Sequence, residues 1–335
     1  MIRIFTSLQT WRALGFSALL IVLTCWGAVE QAEDHLKRGL RLMRESRLEP
    51  AIASFTDAIR LDPQYSTAYL NRGKAFLNQG VEKKALADLT TAIRLEPSAR
   101  AYAYRGWAYN VDGQYADAIA DCEEALRLDP EDAAAYWTRG TARFKRGEFD
   151  PAMADFNAAV KYDPKFALAF RNRGVLYLRQ REYEKAIADF TEAIRLNHSD
   201  ARSHRHRAVT HSQIGDYEQA LEDLRSSLRI DSNDVEAYND FAWLLATCPH
   251  RRWRDGAKAL EHATKAAEIT DWQDAGILDT LAAAYAETNQ FDRAVEWMRK
   301  AIAGTPQRQQ PGLLDRLRLY QAGMPYRMTD PGANE

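Results

Sequence analysis

The sequence predicts an all-α protein built from about eight consecutive helix–turn–helix units, and two observations support this fold class. A glycine or alanine recurs about every 34 residues, and further small and large apolar residues follow it at fixed offsets. The composition favours helix over strand, because alanine, leucine, arginine and glutamate are abundant while glycine and proline are scarce. A repeat of this length indicates stacked two-helix units.

The overall composition limits the classes of function. The chain of 335 residues is 46% hydrophobic and 27% charged, which is ordinary for a folded protein and excludes wholesale disorder. A formal net charge of -2 provides no global field that would recruit nucleic acid. Of the three cysteines, Cys25 lies in an apolar N-terminal segment, so a disulfide framework is not expected in the folded part.

The first 29 residues have the pattern of an export signal or a single signal-anchor helix. They contain two arginines and no acidic residue, and residues 13–29 are almost wholly apolar before Glu30 opens a polar sequence. Seventeen apolar residues are short for a bilayer span and long for the core of a cleaved signal. An uncleaved anchor, a cleaved signal, a lipoprotein modified at Cys25 and an ordinary buried helix therefore remain open. For the first three, the positive-inside rule predicts an extracytoplasmic location, in the periplasm or cell envelope, membrane-anchored or secreted.

A small residue marks the first helix of every unit. The eight marker residues are Gly39, Gly73, Gly106, Gly140, Gly174, Ala208, Ala242 and Ala282. An alanine follows after 12 residues in most units, and a packing residue stands four positions further on. The packing residues are Phe55, Leu89, Cys122, Phe156, Phe190, Leu224, Ala263 and Met298. The small residue lets the second helix approach closely. Because Cys122 stands at one of the packing positions, it is predicted to be a core residue rather than a reactive thiol.

This pattern resembles the tetratricopeptide repeat, in which Gly or Ala at position 8, alanines at 20 and 27 and a large apolar residue at 24 recur with aromatic residues and a closing proline. The resemblance covers roughly residues 32–306. It implies a right-handed superhelical solenoid of antiparallel helix pairs, helix A and helix B. No such unit buries its apolar face alone, so stability comes from stacking neighbours.

The predicted divisions of the chain follow the same phase. They are a signal peptide or signal-anchor helix at 1–29, five regular repeats at 32–65, 66–98, 99–132, 133–166 and 167–200, a degenerate sixth repeat at 201–234, a seventh with an insertion at 235–274, an eighth at 275–308, and a C-terminal cap and tail at 309–335. The seventh and eighth repeats and the ending Gly323-Met-Pro-Tyr-Arg327 resemble a C-terminal module of bacterial tetratricopeptide proteins. Residues 310–327 suit a polar cap, and residues 328–335 are predicted to be frayed.

Histidine is the best candidate for metal-like or enzyme-like chemistry. Four of the seven histidines lie in or beside the sixth repeat: His198, His204, His206 and His211. His204 and His211 stand where packing aromatics belong, so half-buried rings are the first interpretation, with a metal site or a pH-responsive joint as alternatives. Cys248 and His250 in the insertion form a weaker metal candidate, because a solvent-exposed loop is the preferred interpretation there.

The resemblance places the binding surface on the concave face formed by the A helices. There the sequence supplies candidate peptide-binding residues: Asn71, Lys74, Arg100, Tyr104, Trp107, Trp137, Phe144, Arg171, Asn172, Arg202, Arg205 and His206. Aromatic rings beside basic residues and amides suit capture of an extended or helical peptide. Asn172, Arg202 and His206 match only part of the set with which some family members hold a C-terminal carboxylate, since Trp137 and Thr141 occupy the other places. An idle, solvated surface is the further alternative.

The sequence offers little room for catalysis. It contains no phosphate-cradling glycine loop, nucleophile elbow or paired-cysteine metal motif, and fewer than about fifty consecutive residues lie outside the leader, repeats and cap. We therefore predict a non-catalytic scaffold or adaptor, without cofactor or metal, that binds segments of partner proteins rather than nucleic acid. It would contact a membrane through residues 1–29 if these are retained. A metal- or pH-responsive sensor centred on the sixth repeat is the alternative function.

Overall fold

The computed structural model describes residues 29–331. This part of the chain contains seventeen α-helices and two single-turn 3-10 helices, and it contains no strand. The predicted signal or anchor at 1–29, with Cys25, lies outside the described residues except for its last residue. Between residues 29 and 331 no helix combines the length and the apolar character that crossing a bilayer requires.

The chain divides into two compact units, unit 1 at residues 1–164 and unit 2 at residues 165–335. The helices described in unit 1 are α1 (29–44), α2 (Leu48–Leu61), α3 (Ser66–Asn78), α4 (Glu82–Leu95), α5 (Ala99–Val111), α6 (Tyr115–Leu128), α7 (Ala133–Lys145) and α8 (Phe149–Tyr162). Helices α3 and α4, α5 and α6, and α7 and α8 pack as pairs, and each pair packs against the next.

Unit 2 continues the same alternation of helices. Its helices are α9 (Ala167–Arg179), α10 (Tyr183–Leu196), α11 (Ala201–Gln213), α12 (Tyr217–Ile230), α13 (Val235–Thr247), α14 (Gly256–Ile269), α15 (Ala275–Glu287), α16 (Phe291–Ala303) and α17 (Pro311–Gln321). The single-turn 3-10 helices are Arg251–Trp253 and Gln307–Gln309. Pairs form between α9 and α10, α11 and α12, α13 and α14, and α15 and α16, and α17 packs on α16.

The predicted small and large residues meet inside the five hairpins whose small residue is a glycine. A Cβ atom added to Gly140 would lie 2.8 Å from Cε1 of Phe156, and one added to Gly106 would lie 2.9 Å from Sγ of Cys122. Phe156 and Cys122 are fully buried, which confirms the prediction that Cys122 is a core residue. Burial raises the pKa of the Cys122 thiol, so this side chain is not a reactive thiolate.

The turn between the two helices of a hairpin requires a residue in the left-handed region. Gly147, between α7 and α8, has a φ of 80°, a conformation that glycine adopts without a steric penalty. The equivalent turn between α9 and α10 places Arg181 at a φ of 61°, so the geometry is kept even where the glycine is absent. Helix α7 is also capped at its start, because the Asp132 carboxylate accepts hydrogen bonds from the backbone of Ala134 and Ala135.

The C-terminal helix covers the last hairpin, as the sequence predicts. Tyr320 on α17 is fully buried, and Arg316 of the same helix forms an ion pair of 2.6 Å with Asp279 of α15. The chain after the cap is ordered by hydrogen bonding: the Met328 backbone N–H donates to the Thr247 carbonyl at 2.8 Å. The predicted fraying is therefore wrong for Met328 and for Asp330, which pairs with His250 at 3.1 Å, while residues 332–335 lie outside the described part.

The insertion between α13 and α14 is solvated only in part: His250, Arg251 and Arg252 are exposed, but the prediction of a solvated loop is wrong for Cys248. Cys248 is fully buried, and burial raises the pKa of its thiol. Arg254 donates hydrogen bonds to the carbonyls of Cys248 and Pro249, at 3.0 Å each, and pairs with Glu287 at 3.0 Å. These contacts give two backbone carbonyls of the insertion a hydrogen-bond donor and hold the insertion against the hairpin. The spacing of residues in the sequence does not reveal them.

Candidate functional site

A buried ion pair joins the two helices of five hairpins. The arginine stands directly before the small residue of helix A, and the aspartate stands directly before the packing residue of helix B. The pairs are Arg72–Asp88, Arg105–Asp121, Arg139–Asp155, Arg173–Asp189 and Arg207–Asp223, with N–O distances of 2.7 to 2.8 Å. The aspartate side chains are at most 10% exposed. Sequence analysis missed these pairs, although Arg and Asp recur in the same phase as the core residues.

Several of these arginines connect three helices rather than two. Arg105 donates to Asp121 of α6 through Nε and Nη2 and to Thr90 Oγ1 of α4 through Nη1, at 3.3 Å. Arg72 and Arg207 make the same additional contact with a threonine of the preceding helix. Each of these three arginines directs its Nε, Nη1 and Nη2 groups at partners within the protein, and its side chain is at most 20% exposed. The ladder of ion pairs is therefore structural.

The A helices of unit 1 carry seven of the predicted binding residues, and we call this set the helix-A surface of unit 1. It consists of Asn71, Lys74, Arg100, Tyr104, Trp107, Trp137 and Phe144 on α3, α5 and α7. Helix α3 packs against α5, and α5 packs against α7. The structure thus places the residues of this set on three neighbouring helices.

The centre of this surface is a lysine beside two aromatic side chains. Lys74 Nζ lies 5.1 Å from the ring centroid of Tyr104, within the range of a cation–π contact. Tyr104 and Trp107 are partly buried and pack against the cluster that contains Leu77 and Leu89. Both rings are therefore held in place from below by the core, and part of each remains accessible.

The other members of the set differ in their surroundings. Arg100 is exposed and makes no ion pair with any residue between 29 and 331. The Asn71 side-chain amide donates to the Thr67 carbonyl at 2.7 Å, so its N–H group is partly used within α3. Phe144 contacts Phe149 of α8 edge-to-face at 5.7 Å, and this places it beside its own hairpin partner.

Asn110 is a residue that sequence analysis did not single out. It lies one helical turn after the Trp107 position on α5, and its side-chain amide donates to the Thr138 carbonyl of α7 at 2.6 Å. Its Oδ1 atom is buried and has no hydrogen-bond partner among the described residues. This bond fixes the spacing of α5 and α7 beneath the surface.

Aspartates neutralise two of the three arginines among the predicted binding residues of unit 2. Arg171 Nη1 lies 2.9 Å from Asp200 Oδ1, and Arg205 Nη1 lies 3.2 Å from Asp240 Oδ2. Arg202 is exposed and makes no ion pair within the described residues. The basic character expected for α9 and α11 is therefore largely compensated by carboxylates that follow 29 and 35 residues later.

His206 does not provide a positive charge to this region at neutral pH. Its ring stacks on Phe190 with centroids 5.6 Å apart. Burial, together with the neighbouring charges of Arg205 and Arg171, lowers the pKa of His206 to about 3. A neutral imidazole offers a carboxylate little electrostatic attraction, so the partial clamp of Asn172, Arg202 and His206 is weaker than the sequence suggests.

The remaining histidines of the sixth repeat are half-buried, as predicted. His204 Nδ1 lies 3.1 Å from Asp223 Oδ1, and His211 Nδ1 lies 3.5 Å from Asp216 Oδ2. Each ring thus has a carboxylate neighbour, in the place where other repeats have an aromatic residue. Across residues 29–331 no three or more His, Cys, Asp or Glu side chains come together in a way that would hold a metal ion.

We expect His206 to make unit 2 less stable as the pH falls. The pKa of His206 is about 3 in the folded chain and close to 6.5 in the unfolded chain. Between these values the unfolded chain binds more protons, so the free energy of unfolding decreases by about 2 kcal/mol between about pH 7 and pH 5 from this group. The variant His206→Phe keeps an aromatic ring against Phe190 and removes the part of the pH dependence of stability that comes from His206.

Urea unfolding of the full chain and of His206→Phe at both pH values, followed by circular dichroism, measures the effect. Burial raises the pKa of Asp240 to about 6, and this contributes in the opposite direction. The comparison is therefore made between the two proteins at each pH. An equal loss of stability on acidification in both proteins would contradict the assignment to His206.

Known proteins resemble this chain in both sequence and fold. Models of the tetratricopeptide repeat match residues 99–132, 137–201, 176–235 and 275–305, and a model of the TPR repeat matches residues 39–80. No protein with curated annotation matches the sequence.

Two solved structures share the fold at low sequence identity. A chain of the APC/C hetero-tetramer Cut9–Hcn1 is similar over 85% of this chain, with a TM-score of 0.68 and 15% identity. Our chain spans 55% of the length of that protein. PilF from Pseudomonas aeruginosa is similar over 63% of this chain and 96% of its own, with a TM-score of 0.55 and 18% identity.

The repeated hairpins and the matching repeat models support the same conclusion. At these identities the two structures show the fold alone, whereas the repeat models cover four separate parts of the sequence. Members of this family are generally non-catalytic and act as scaffolds for interactions between proteins. The chain belongs to the tetratricopeptide-repeat family.

Proposed function

We propose that this protein is a scaffold that binds a peptide segment of a partner protein on the helix-A surface of unit 1. The observation that carries the proposal is the group formed by Lys74, Tyr104 and Trp107. A cation and two partly accessible aromatic side chains lie on adjacent A helices and are supported by the core cluster beneath them. Large, rigid aromatic side chains of this kind dominate binding energy at protein interfaces.

The charges of this surface indicate what the segment contains. Lys74 and Arg100 form no ion pair with any residue between 29 and 331, in contrast to Arg72 and Arg105, which are held by aspartates. A partner segment with an apolar anchor for the rings and a nearby carboxylate for the cations fits this arrangement. Arg171 and Arg205 of unit 2 are already paired with aspartates, so unit 1 is the better candidate.

The test is binding of peptides selected from a random library on the full-length protein, with affinities measured by isothermal titration calorimetry. Lys74→Ala combined with Arg100→Ala is expected to weaken binding about tenfold, because two cations that have no carboxylate partner within residues 29–331 are lost. Trp107→Ala is a less specific variant, since this ring also packs against the core cluster. Circular dichroism verifies that the helices are retained.

The matched control is Lys83→Ala combined with Arg94→Ala. This variant also removes two positive charges, so the change in net charge equals that of the Lys74 and Arg100 variant. Lys83 and Arg94 are exposed on α4, which is helix B of the hairpin whose helix A is α3. The control is expected to bind the selected peptides as the unchanged protein does. The proposal is wrong if no selected peptide distinguishes the two double variants.

We also propose that the scaffold works outside the cytoplasm. The support is the sequence of residues 1–29, with a basic start, an apolar run and a polar exit. Cell fractionation combined with N-terminal sequencing of the native protein is expected to find it in the envelope or secreted fraction. Recovery in the cytoplasmic fraction with Met1 in place would exclude this location.

A further inference from the structure

A basic cleft opens in unit 2 between α12, α13, α14 and the insertion. Its volume is about 600 Å³, within the roughly 300–1,000 Å³ of ligand-sized pockets. Five cationic residues and a single carboxylate line it: Arg225, Arg229, Arg252, Arg254, Lys258 and Asp255. We call this feature the basic cleft.

Three of these cations lack a counter-ion. Arg254 pairs with Glu287 at 3.0 Å, and Lys258 pairs with Asp255 at 3.2 Å. The three other arginines of the cleft form no ion pair with any residue in the described range 29–331. A concave surface with unbalanced positive charge concentrates the electric field and attracts anions.

The insertion contributes one of these unpaired arginines. The Asp255 backbone N–H donates to the Leu245 carbonyl at 3.1 Å, and Arg254 donates to two carbonyls within the insertion. These bonds hold the 3-10 turn that contains Arg252 and Trp253 at the mouth of the cleft. The insertion thus forms one wall of the cleft.

Aromatic rings orient two of the guanidinium groups. Arg225 Cζ lies 6.0 Å from the Phe241 ring centroid, and Arg252 Cζ lies 5.0 Å from the Trp253 centroid. A guanidinium that contacts an aromatic face keeps its in-plane N–H groups available for an oxygen acceptor. His262 stacks on Phe241 at 4.6 Å, and burial lowers its pKa, so this ring is neutral at pH 7.

The floor and walls of the cleft also contain apolar side chains. Leu221 and Leu245 belong to the buried core, whereas Leu228 and Trp253 are partly accessible beside the cations. A simple inorganic anion would use the guanidinium groups and leave this apolar lining without a partner. A peptide with both carboxylates and apolar side chains complements both parts.

We propose that the basic cleft binds an acidic segment of a partner protein, with carboxylates on Arg225, Arg229 and Arg252 and an apolar side chain on Leu228 and Trp253. The cations of the cleft lie on α12, α14 and the insertion of unit 2, whereas the proposed peptide surface lies on helix A elements of unit 1. The two proposals therefore depend on different residues and can fail separately.

The test uses the full-length protein and a fluorescein-labelled peptide of alternating Asp and Leu, with binding followed by fluorescence polarisation. Saturable binding that weakens with added salt is expected. Arg225→Ala combined with Arg252→Ala is expected to weaken binding about tenfold. The matched control, Arg251→Ala combined with Arg299→Ala, removes the same charge from exposed positions outside the cleft and is expected to bind normally.

Further measurements separate the alternatives. Lys74→Ala combined with Arg100→Ala is expected to leave binding of the Asp–Leu peptide unchanged; a loss there would locate the peptide on unit 1 and overturn the proposal. Equal weakening in both arginine variants, or no saturable binding, also overturns it. Binding of pyrophosphate without binding of the Asp–Leu peptide overturns the proposal as well. If the alanine variant loses helicity, Arg225→Gln combined with Arg252→Gln replaces it, because Gln keeps most of the aliphatic stem.

Discussion

Replacement of Asp155 by alanine is expected to lower the free energy of unfolding of unit 1 by about 3–5 kcal/mol. The Asp155 side chain is only 3% exposed and accepts hydrogen bonds from two arginines, Arg139 at 2.7 Å and Arg143 at 2.9 Å. Removal of the carboxylate leaves the largely buried Arg139 guanidinium without a counter-charge and leaves Arg143 with only Glu123, at 3.6 Å. Urea unfolding followed by circular dichroism measures the loss.

The control for this experiment is Asp150→Ala on the same helix. Asp150 is exposed in the first turn of α8, so its replacement is expected to cost less than about 1 kcal/mol. Asp155→Asn keeps the shape of the side chain and removes the charge, and we expect an intermediate loss. If Asp155→Ala costs no more than Asp150→Ala, the buried pair contributes nothing measurable and the interpretation is wrong.

Replacement of Tyr320 by alanine is expected to destabilise unit 2 by about 3–5 kcal/mol. The ring of Tyr320 is fully buried and belongs to the core cluster that also contains Met298 and Leu281. Its removal opens a cavity between α17 and the last hairpin, and in a stacked array a weakened end also weakens its neighbour. Differential scanning calorimetry of the full chain is expected to show a lower transition temperature.

Tyr320→Phe separates the ring from its hydroxyl group. The hydroxyl is buried, has no hydrogen-bond partner in the described part of the chain, and its pKa is raised by burial. Loss of the hydroxyl is therefore expected to be neutral or slightly stabilising. Leu314→Ala on the exposed face of α17 is the matched truncation, expected to cost less than about 1 kcal/mol. A loss in Tyr320→Phe as large as in Tyr320→Ala would contradict the role of the ring.

The hairpin core was predictable because its rule is local and repeats. Gly140 and Phe156 are 16 residues apart, and the same pair of residue types recurs at Gly174 and Phe190. The same spacing separates Arg139 from Asp155, yet that pair was not predicted. Charged residues on an amphipathic helix are usually solvated, and only the facing helix determines whether such a charge is buried.

The candidate binding surface was less predictable than the core. Sequence spacing placed Arg171 and Arg205 on the A helices, but their neutralisation by Asp200 and Asp240 depends on the next helix A in the stack. The buried position of Cys248 depends on Arg254, which turns back onto the insertion. Contacts of this kind arise from the folded chain and leave no periodic signal in the sequence.

The arrangement of the ion-pair ladder has a consequence for how such a chain can lengthen or shorten. Arg105 and Asp121 both lie between residues 99 and 132, so the loss or duplication of this whole segment removes or adds both charges together. An insertion or deletion between the arginine and its aspartate would shift one relative to the other and leave an unpaired charge in the core. The buried pairs therefore favour a constant spacing between helix A and helix B in these five hairpins.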